Sequence, residues 1–390
     1  MRSKSRTAHP IAEALSREEL SRYRRHLILP EVGVEGQRKL KRSKVVLVGV
    51  GGLGSPAALY LAAAGVGEIG LVEDETVELS NLQRQVLYTT RDVGRAKLDA
   101  AKERIQALNP ETRVVGHPHR LTKGNALDIL APYDIILDGT DNFPARYLVN
   151  DAAALLGKPD VYGSVSRFEG QTSVFDAQRG PCYRCLYPEP PPPDLAPSCA
   201  EAGVLGVVPG VVGALQATEA IKLLAGVGEP LIGRLLLYDA SSMTFRQVRL
   251  DKNPACVLCS PHATQRGLVD YPAFCGVPAT GPRPGIPSVT PEELRDELAG
   301  DDPPVLVDVR EPAELEISYL DGALAIPKGE LPERVDELTR ARSVVVFCRN
   351  GGRSADAVRT LLELGFQKVR HLQGGINAWA RRVDPGVPTY

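Results

Sequence analysis

The chain has 390 residues, of which 43% are hydrophobic and 24% charged, and its formal net charge is −2. These values are typical of a globular protein with two domains, and they argue against a broad basic surface for nucleic acid. No apolar run approaches the ~20 residues needed to cross a membrane, and none follows the basic N-terminus. We therefore expect a cytoplasmic protein that binds neither nucleic acid nor membrane.

The cysteine content limits the chemistry further. There are 7 cysteines, an odd number in a long chain that shows no export signal. A disulfide framework is not expected under these conditions. Metal ligation and nucleophilic chemistry are the uses that remain.

The first part of the chain alternates buried strands with helices, which is typical of a doubly wound α/β sheet. Residues 44–50 form a nearly continuous apolar run, as expected of a parallel strand buried on both faces. Further strands are predicted at 68–73, 113–115 and 135–138, and helices at 17–29, 55–64 and 97–108.

From residue 161 onward the regular helical crossovers stop. The sequence predicts a long apolar helix at 207–225, a proline-dense loop at 187–197, and strands at 161–165, 171–175, 235–238 and 245–250. These strands extend the first sheet into a mixed sheet. We assign the whole region to one domain, residues 1–263.

A proline- and glycine-rich stretch at 264–286 lacks periodicity and is interpreted as a linker. Residues 287–390 then repeat the α/β pattern on a smaller scale. Their predicted strands are 305–309, 343–347 and 369–372, and their predicted helices are 354–364 and 376–381. The fold expected for the chain is α/β throughout, a large domain followed by a small one.

A glycine loop follows the first predicted strand and opens a helix. Gly49, Gly51 and Gly54 satisfy G-x-G-x-x-G, in which a tight turn brings backbone N–H groups close to a phosphate. Glu73 begins an acidic cluster at the end of the next strand, where a ribose hydroxyl is held. This is a Rossmann-like arrangement, and by itself it fits a nicotinamide enzyme as well as an ATP enzyme.

Three features favour ATP. The segment Ser80-Asn81-Leu82-Gln83-Arg84 supplies amide and guanidinium donors, Lys97 follows at the start of a helix, and Asp141 and Asn142 follow a strand. The cations suit a triphosphate, and a carboxylate beyond a strand end suits Mg²⁺. A dehydrogenase needs none of these groups.

Residues from about 16 to 259 resemble the MoeB/ThiF family, relatives of the ubiquitin-activating enzymes. The shared strings are RYRR at 22–25, GVGGLGS, SNLQRQ, TDN, two cysteine pairs and CAEAG at 199–203. The resemblance implies that Arg84 and Lys97 contact phosphates, that Asp141 serves Mg²⁺, and that Arg25 reaches into a partner subunit's site, hence a homodimer. The family usually has aspartate where Glu73 stands, and a glutamate can still hold a ribose hydroxyl. The nucleotide-binding residues expected are Gly52, Glu73, Ser80, Asn81, Leu82, Gln83, Arg84, Lys97, Asp141, Asn142 and Arg25.

Two C-x-x-C pairs, Cys182 with Cys185 and Cys256 with Cys259, supply the four thiolates of a tetrahedral Zn²⁺ site. A redox dithiol or unrelated buried cysteines are the alternatives, and the long gap between the pairs weakens the zinc pattern. In the family that the chain resembles, both pairs bind one structural zinc ion.

The other two cysteines of this region have separate interpretations. Cys199 follows the proline-rich loop, where it could form a thioester, resolve a disulfide or be inert; the resemblance implies a catalytic role that is not uniform among relatives. Cys275 lies in the predicted linker, and we expect it to have no catalytic role.

From about residue 287 the chain resembles a rhodanese domain. The resemblance rests on LVDVRE at 306–311, GA at 322–323 with IP at 326–327, GG at 374–375 with Trp379, and the loop CRNGGRS at 348–354. Backbone N–H groups, the helix N-terminus and two flanking arginines favour the thiolate form of Cys348. A phosphatase is the alternative, but its C-x5-R loop is one residue longer. A module without activity is a second alternative, which the retained cysteine and arginines oppose.

The predicted function is adenylation of the C-terminal carboxylate of a small ubiquitin-like sulfur carrier of the MoaD/ThiS type that ends in Gly-Gly, followed by sulfur transfer from a Cys348 persulfide. The catalytic residues expected are Cys348, Cys199, Asp141 and Arg84, with ATP, Mg²⁺ and Zn²⁺ as cofactors. A cysteine desulfurase or thiosulfate supplies the sulfur, for molybdopterin, thiamin, cysteine or thiolated-tRNA synthesis. The alternatives are a nicotinamide oxidoreductase with a sulfur-handling domain and a carrier-binding scaffold without turnover.

Overall fold

The structure is a computed structural model that describes residues 15–191, 203–275, 285–338 and 342–390. The chain divides into two units, Met1–Val277 and Pro278–Tyr390, and each unit has its own sheet and core.

One sheet of eight strands organises the first unit. Its strands are β1 Lys44–Val48, β2 Glu68–Val72, β3 Arg113–His117, β4 Ile135–Asp138, β5 Asp160–Ser166, β6 Glu169–Phe175, β7 Arg234–Asp239 and β8 Thr244–Arg249. The spatial order is β3-β2-β1-β4-β5-β6-β7-β8. The strands from β3 to β5 pair in parallel, and β5 to β8 pair antiparallel. This confirms the predicted doubly wound mixed sheet.

The helices of the first unit lie between and beside these strands. They are α1 Arg17–Arg22, α2 Arg24–Leu27, α3 Gly33–Arg42, α4 Gly54–Ala64, α5 Lys97–Leu108, α6 Ala126–Leu130, α7 Phe143–Leu156, α8 Tyr183–Leu186, α9 Val207–Ala225 and α10 Tyr271–Phe274.

The predicted helix at 17–29 is interrupted at Tyr23. The Tyr23 side chain is buried, and its hydroxyl accepts a hydrogen bond of 2.8 Å from Asn109. The sequence analysis did not predict α3, because its sequence is mostly polar and its apolar positions are few.

Helix α9 is the one helix of the described residues with the length and apolarity of a membrane span. It packs against α4, β5 and β6, and buried residues such as Val212, Ala217 and Ala220 line it. Those contacts explain its composition, since a helix inside a core is apolar on most of its surface.

The second unit holds a five-stranded parallel sheet in the order β11-β10-β12-β13-β9. Its strands are β9 Ser288–Val289, β10 Val305–Asp308, β11 Leu324–Ala325, β12 Val344–Phe347 and β13 Val369–Leu372. Its helices are α11 Pro291–Leu298, α12 Pro312–Leu315, α13 Gly352–Glu363 and α14 Gly375–Arg382. The predicted smaller α/β domain is confirmed.

The described part of the predicted linker, residues 264–275, packs on the first unit. Its anchor is Asp151 of α7, whose carboxylate is fully buried. Asp151 accepts hydrogen bonds from both Nε and Nη2 of Arg184 at 2.8 Å, from Tyr271 Oη at 2.9 Å and from Gln265 Nε2 at 2.7 Å. Because one carboxylate joins α7, α8 and α10, the segment that follows the second cysteine pair is held to the same core as the first pair.

We expect Asp151→Asn to destabilise the first unit by about 3 kcal/mol, because it leaves the Arg184 guanidinium buried without its counter-charge. The control is Asp251→Asn, since Asp251 forms an exposed ion pair with Arg249 and such pairs contribute about 0.5 kcal/mol. Hydrogen exchange of the β4 amides, followed by mass spectrometry, reports the unfolding free energy of this unit. Equal losses in the two variants would contradict the assigned role of Asp151.

Candidate functional sites

The glycine loop lies where the backbones of two neighbouring strands come closest. Gly49 adopts φ +89°, and a Cβ atom there would stand 2.9 Å from the carbonyl oxygen of Gly139. A Cβ atom on Gly54 would stand 2.2 Å from the carbonyl oxygen of Gly49. Side chains are therefore excluded at both positions, and the loop delivers its N–H groups to the start of α4, the arrangement that binds a phosphate.

Glu73, directly after β2, holds this loop from one side. Its Oε2 accepts a hydrogen bond of 3.1 Å from the N–H of Val50, and its Oε1 accepts from the N–H groups of Asp74 and Glu75 at 3.1 and 3.0 Å. Glu73 thus lies at the loop, where the sequence predicted a ribose contact.

The segment from Ser80 to Arg84 runs beside the glycine loop. A Cβ atom on Gly52 would stand 3.6 Å from Cγ of Arg84, and Arg84 Nη1 donates to the carbonyl oxygen of Ser80 at 3.1 Å. Asn81 is buried, and its Oδ1 accepts from the N–H of Glu78 at 3.0 Å. Ser80 and Gln83 are exposed, and Leu82 is half-buried.

Lys97 is the first residue of α5 and is only 3% exposed. Its Nζ donates to Oε2 of Glu75 at 2.6 Å, so the ammonium is held beside the acidic cluster that follows β2. Lys97 was predicted as a site residue, but its partner Glu75 was not, because the pairing depends on how the loop after β2 folds back.

The turn after β4 positions Asp141 and Asn142. The carboxylate of Asp138 accepts from the N–H of Thr140 at 2.8 Å, and Asn142 caps α7 by accepting from the N–H of Ala145 at 3.0 Å. Asn142 Nδ2 lies 3.3 Å from Oδ1 of Asp141, which is exposed. Because Gly139 touches Gly49, this turn belongs to the same edge of the sheet as the glycine loop.

A buried charge cluster supports the turn. Arg146 donates to the carbonyl oxygen of Thr140 at 3.3 Å and packs its guanidinium over the ring of Tyr162. Burial raises the pKa of Asp138, and burial together with the charge of Asp138 raises that of Asp160. Oδ2 of Asp138 has no hydrogen-bond partner among the residues described. Asp138, Asp160 and Arg146 were not predicted as site residues.

Arg25 lies exposed on α2. The side chains of Ile28 and Leu29, which directly follow α2, are 64% and 46% exposed. The segment after α2 therefore presents apolar side chains at the surface. The role of Arg25 in a partner's site stays a prediction.

The four cysteines of the two C-x-x-C pairs come together although about 70 residues separate the pairs. All four Sγ atoms lie within 4.8 Å of one another. Three of the Sγ–Sγ distances are 3.9 Å (Cys182–Cys185), 3.6 Å (Cys182–Cys256) and 3.4 Å (Cys185–Cys259). A tetrahedral ion with Zn–S bonds of about 2.3 Å needs sulfur atoms about 3.8 Å apart, so the thiol set fits zinc.

The remaining cysteines of this unit differ. Cys275 is buried beside α7, and burial raises the pKa of its thiol to about 11, so it is a protonated core side chain at neutral pH. That Cys275 has no catalytic role stays a prediction. Cys199 lies outside the described residues.

In the second unit, Cys348 directly follows β12 and is 1% exposed. Its Sγ accepts from the N–H groups of Gly351 and Ser354 at 3.1 and 3.4 Å, and lies 3.5 Å from Oγ of Ser354. Gly351 adopts φ +94°, which turns its N–H toward the sulfur. Two N–H donors at the N-terminus of α13 therefore face the sulfur, while the thiol donates to Oγ of Ser354.

The two arginines of this loop make other contacts. Arg353 forms a two-pronged ion pair with Glu314, with both N–O distances at 2.6 Å. Arg349 stacks on the ring of Tyr390 at 4.8 Å and donates from Nε to the Tyr390 carbonyl oxygen. Glu314 and Tyr390 were not predicted as site residues, because they are far from the loop in sequence and belong to none of the shared motifs.

Comparison with protein families places these sites in context. A model of the ThiF family matches residues 23–258, and a model of the rhodanese-like domain matches residues 290–382. The chain belongs to the ThiF family. It carries a rhodanese-like domain after the ThiF region, so both sequence resemblances are confirmed.

The relatives include two bacterial proteins and one solved structure. The chain is 51% identical, over 97% of both chains, to the probable adenylyltransferase/sulfurtransferase MoeZ of Mycobacterium tuberculosis. It is 59% identical to the sulfur carrier protein adenylyltransferase of Thermus thermophilus, over 67% of this chain and 98% of that protein. The crystal structure of Escherichia coli MccB covers 67% of this chain and 76% of its own, with TM-score 0.56 and 25% identity. The chain is thus an enzyme of the adenylyltransferase and sulfurtransferase class.

Proposed function

We propose that the first unit uses ATP and Mg²⁺ to adenylate the C-terminal carboxylate of a small ubiquitin-like sulfur carrier that ends in Gly-Gly, and that the second unit then supplies sulfur from Cys348. The observation that carries this proposal is the convergence of the glycine loop, Arg84 and the Asp141 turn at one edge of the sheet, on the same chain as a thiol enclosed by N–H donors. The name of the Thermus thermophilus relative, sulfur carrier protein adenylyltransferase, supports the carrier as substrate. We also propose that the enzyme is cytoplasmic.

In the adenylation step, a carrier carboxylate oxygen attacks the α-phosphorus of ATP and pyrophosphate leaves. The glycine-loop N–H groups bind phosphate oxygens, and Glu73 holds both the loop and a ribose hydroxyl. Arg84 and Lys97 offset the charge of the β- and γ-phosphates. To do so, Lys97 gives up its ion pair with Glu75 and pairs with a phosphate instead. Asp141 would hold Mg²⁺, and the ion would supply positive charge to offset the charge that develops on the leaving pyrophosphate.

From their contacts near the loop, we propose supporting roles for the other predicted binding residues. Asn81 keeps the segment before Arg84 in place through Glu78, and Asn142 keeps Asp141 at the start of α7. Gly52, Ser80, Leu82 and Gln83 form the wall beside the nucleotide. Arg25 reaches the site of a second copy of the chain, and the exposed Ile28 and Leu29 suit burial in such a homodimer.

In the sulfur-transfer step, Cys348 carries a persulfide obtained from a cysteine desulfurase or from thiosulfate. The outer sulfur attacks the carrier acyl-adenylate, AMP leaves, and an acyl disulfide to Cys348 remains. A second thiol, for which we propose Cys199, attacks the Cys348 sulfur and releases the carrier thiocarboxylate. An external thiol reductant then reduces the Cys199–Cys348 disulfide. One chain that carries both units raises the effective concentration of the persulfide.

The four-cysteine cluster is proposed to hold one structural Zn²⁺. Its thiolates fill all four positions of a tetrahedral ion, so no position stays open for substrate. Zinc bound there joins α8 to the segment after β8.

We expect Asp141→Ala to lower carrier-dependent ATP–pyrophosphate exchange at least ~100-fold, since the leaving group loses its compensating charge. Arg84→Ala and Lys97→Ala are also expected to be severe. The control is Asp128→Ala on the exposed face of α6, which should exchange at the wild-type rate. Normal exchange in Asp141→Ala would show that the active site lies elsewhere.

Metal analysis of freshly purified, reduced protein should find about one zinc per chain. Cys182→Ser and Cys259→Ser should each release the ion and lower the stability of the first unit. Cys275→Ser is the matched control, because Cys275 is a buried thiol outside the cluster, and it should retain zinc. Wild-type protein without zinc would rule out the assignment.

Cys348→Ala should leave pyrophosphate exchange near the wild-type rate and abolish thiocarboxylate formation from thiosulfate or a persulfide. Cys199→Ala should also spare exchange, but it should slow thiocarboxylate release unless an external reductant is added. Mass spectrometry of the carrier, which detects the exchange of one oxygen for sulfur, measures both effects. Thiocarboxylate formed at full rate by Cys348→Ala without added sulfide contradicts the proposal.

A further inference from the structure

The two arginines of the Cys348 loop, Arg349 and Arg353, make their contacts with other residues of the second unit. Arg353 stands one residue before Ser354, whose N–H and hydroxyl lie at the sulfur. Both of its terminal nitrogens contact the carboxylate of Glu314, and the two side chains are only 19% and 16% exposed. An ion pair of this geometry, partly shielded from water, is stronger than an exposed one.

Tyr390 holds the same carboxylate and the other arginine. Its hydroxyl donates to Oε1 of Glu314 at 2.9 Å and accepts from Nη1 of Arg310 at 2.7 Å. Its ring lies 4.8 Å from the guanidinium carbon of Arg349, and its carbonyl oxygen accepts from Arg349 and from Nδ2 of Asn377. Arg310 is itself fully buried and paired with Asp308.

Glu314 stays ionised in this network. Burial raises the pKa of its carboxyl, but the hydrogen bonds from Arg353 and from the N–H of Glu311 outweigh burial, and the net shift is downward. At neutral pH the full negative charge of Glu314 therefore neutralises the positive charge of Arg353.

We infer that Glu314, positioned by Tyr390, sets the sulfur-donor specificity of the Cys348 loop by withholding Arg353 from small dianionic donors. This rests on the proposed sulfur transfer at Cys348 and names its donor class. Thiosulfate carries two negative charges next to the sulfur that is transferred, so it has to displace Glu314 from Arg353. A thiol persulfide needs no cation at that position, and it is the preferred donor.

The two donors differ in their leaving groups. With thiosulfate, the Cys348 thiolate attacks the outer sulfur, the S–S bond breaks, and sulfite leaves with the electron pair while Cys348 becomes a persulfide anion. With a persulfide R–S–SH, the thiolate attacks the outer sulfur, R–S⁻ leaves, and the proton stays on the new Cys348 persulfide. Only the first reaction brings a dianion to the arginines.

The test uses the full chain with Glu314→Gln, which keeps the size of the side chain and removes its charge. We expect kcat/KM for thiosulfate, with cyanide as acceptor, to rise about tenfold, mainly through a lower KM, because Arg353 then pairs with the donor. Loading of Cys348 by glutathione persulfide, measured by mass spectrometry as the gain of one sulfur atom, should change less than about twofold.

Three further variants sharpen the result. In Arg353→Gln, adding Glu314→Gln should give no further gain with thiosulfate, since the effect acts through this arginine. Tyr390→Phe keeps the ring on Arg349 but loses the hydroxyl, and we expect a smaller gain of about threefold. Glu297→Gln breaks the two-pronged pair of Glu297 with Arg370, which lies in the same unit, and should change neither rate.

The outcomes separate the two levels of the proposal. Equal changes for thiosulfate and persulfide in Glu314→Gln, or a thiosulfate gain that persists without Arg353, overturn the assignment of donor specificity. Wild-type protein that loads from neither donor overturns sulfur transfer at Cys348 itself, and the specificity assignment with it.

Discussion

The proposed nucleotide site depends on the close approach of two backbone segments, at Gly49 after β1 and Gly139 after β4. Neighbouring parallel strands β1 and β4 connect to helices that leave in different directions, and the crevice between them is where doubly wound sheets bind ligands. A side chain at Gly49 or Gly54 would meet a carbonyl oxygen, and the loop would have to move. With the loop fixed, its N–H groups, Glu73 after β2 and the Asp141 turn after β4 share one edge of the sheet.

Both sites keep cations beside the place where an anion is proposed to react, and both pair those cations with carboxylates. Lys97 contacts Glu75 in the first unit, and Arg353 contacts Glu314 in the second. Each pair neutralises a partly buried charge. Its net contribution to the free energy of folding is modest, because desolvation of the two groups offsets much of their attraction. When an anionic ligand binds such a cation, its gain in binding free energy is therefore only the difference between the new ion pair and the carboxylate pair that it displaces. Acids around a site thus influence which ligand the cations accept.

The surroundings of each thiol decide its chemistry. Four cysteines lie within ligand distance of one another and suit a metal. Cys275 lies in an apolar core that raises the pKa of its thiol and keeps it protonated. Cys348 lies beside two N–H donors at a helix N-terminus. The cysteines of this chain thus lie in three different environments, which differ in burial and in hydrogen-bond donors.

Local patterns in the sequence determined the two α/β units and the loops of the two proposed sites. Alternation of apolar strands and helices indicated the two α/β units, because buried parallel strands need apolar residues at nearly every position. The glycine loop and the CRNGGRS loop were recognisable because each site depends on backbone geometry that only a few residue types allow. Contacts between distant segments were decided by the tertiary structure alone. The pairing of Lys97 with Glu75, the anchoring of residues 264–275 by Asp151, and the hold of Glu314 and Tyr390 on the loop arginines follow no spacing rule, since the partners meet only after the sheets have formed.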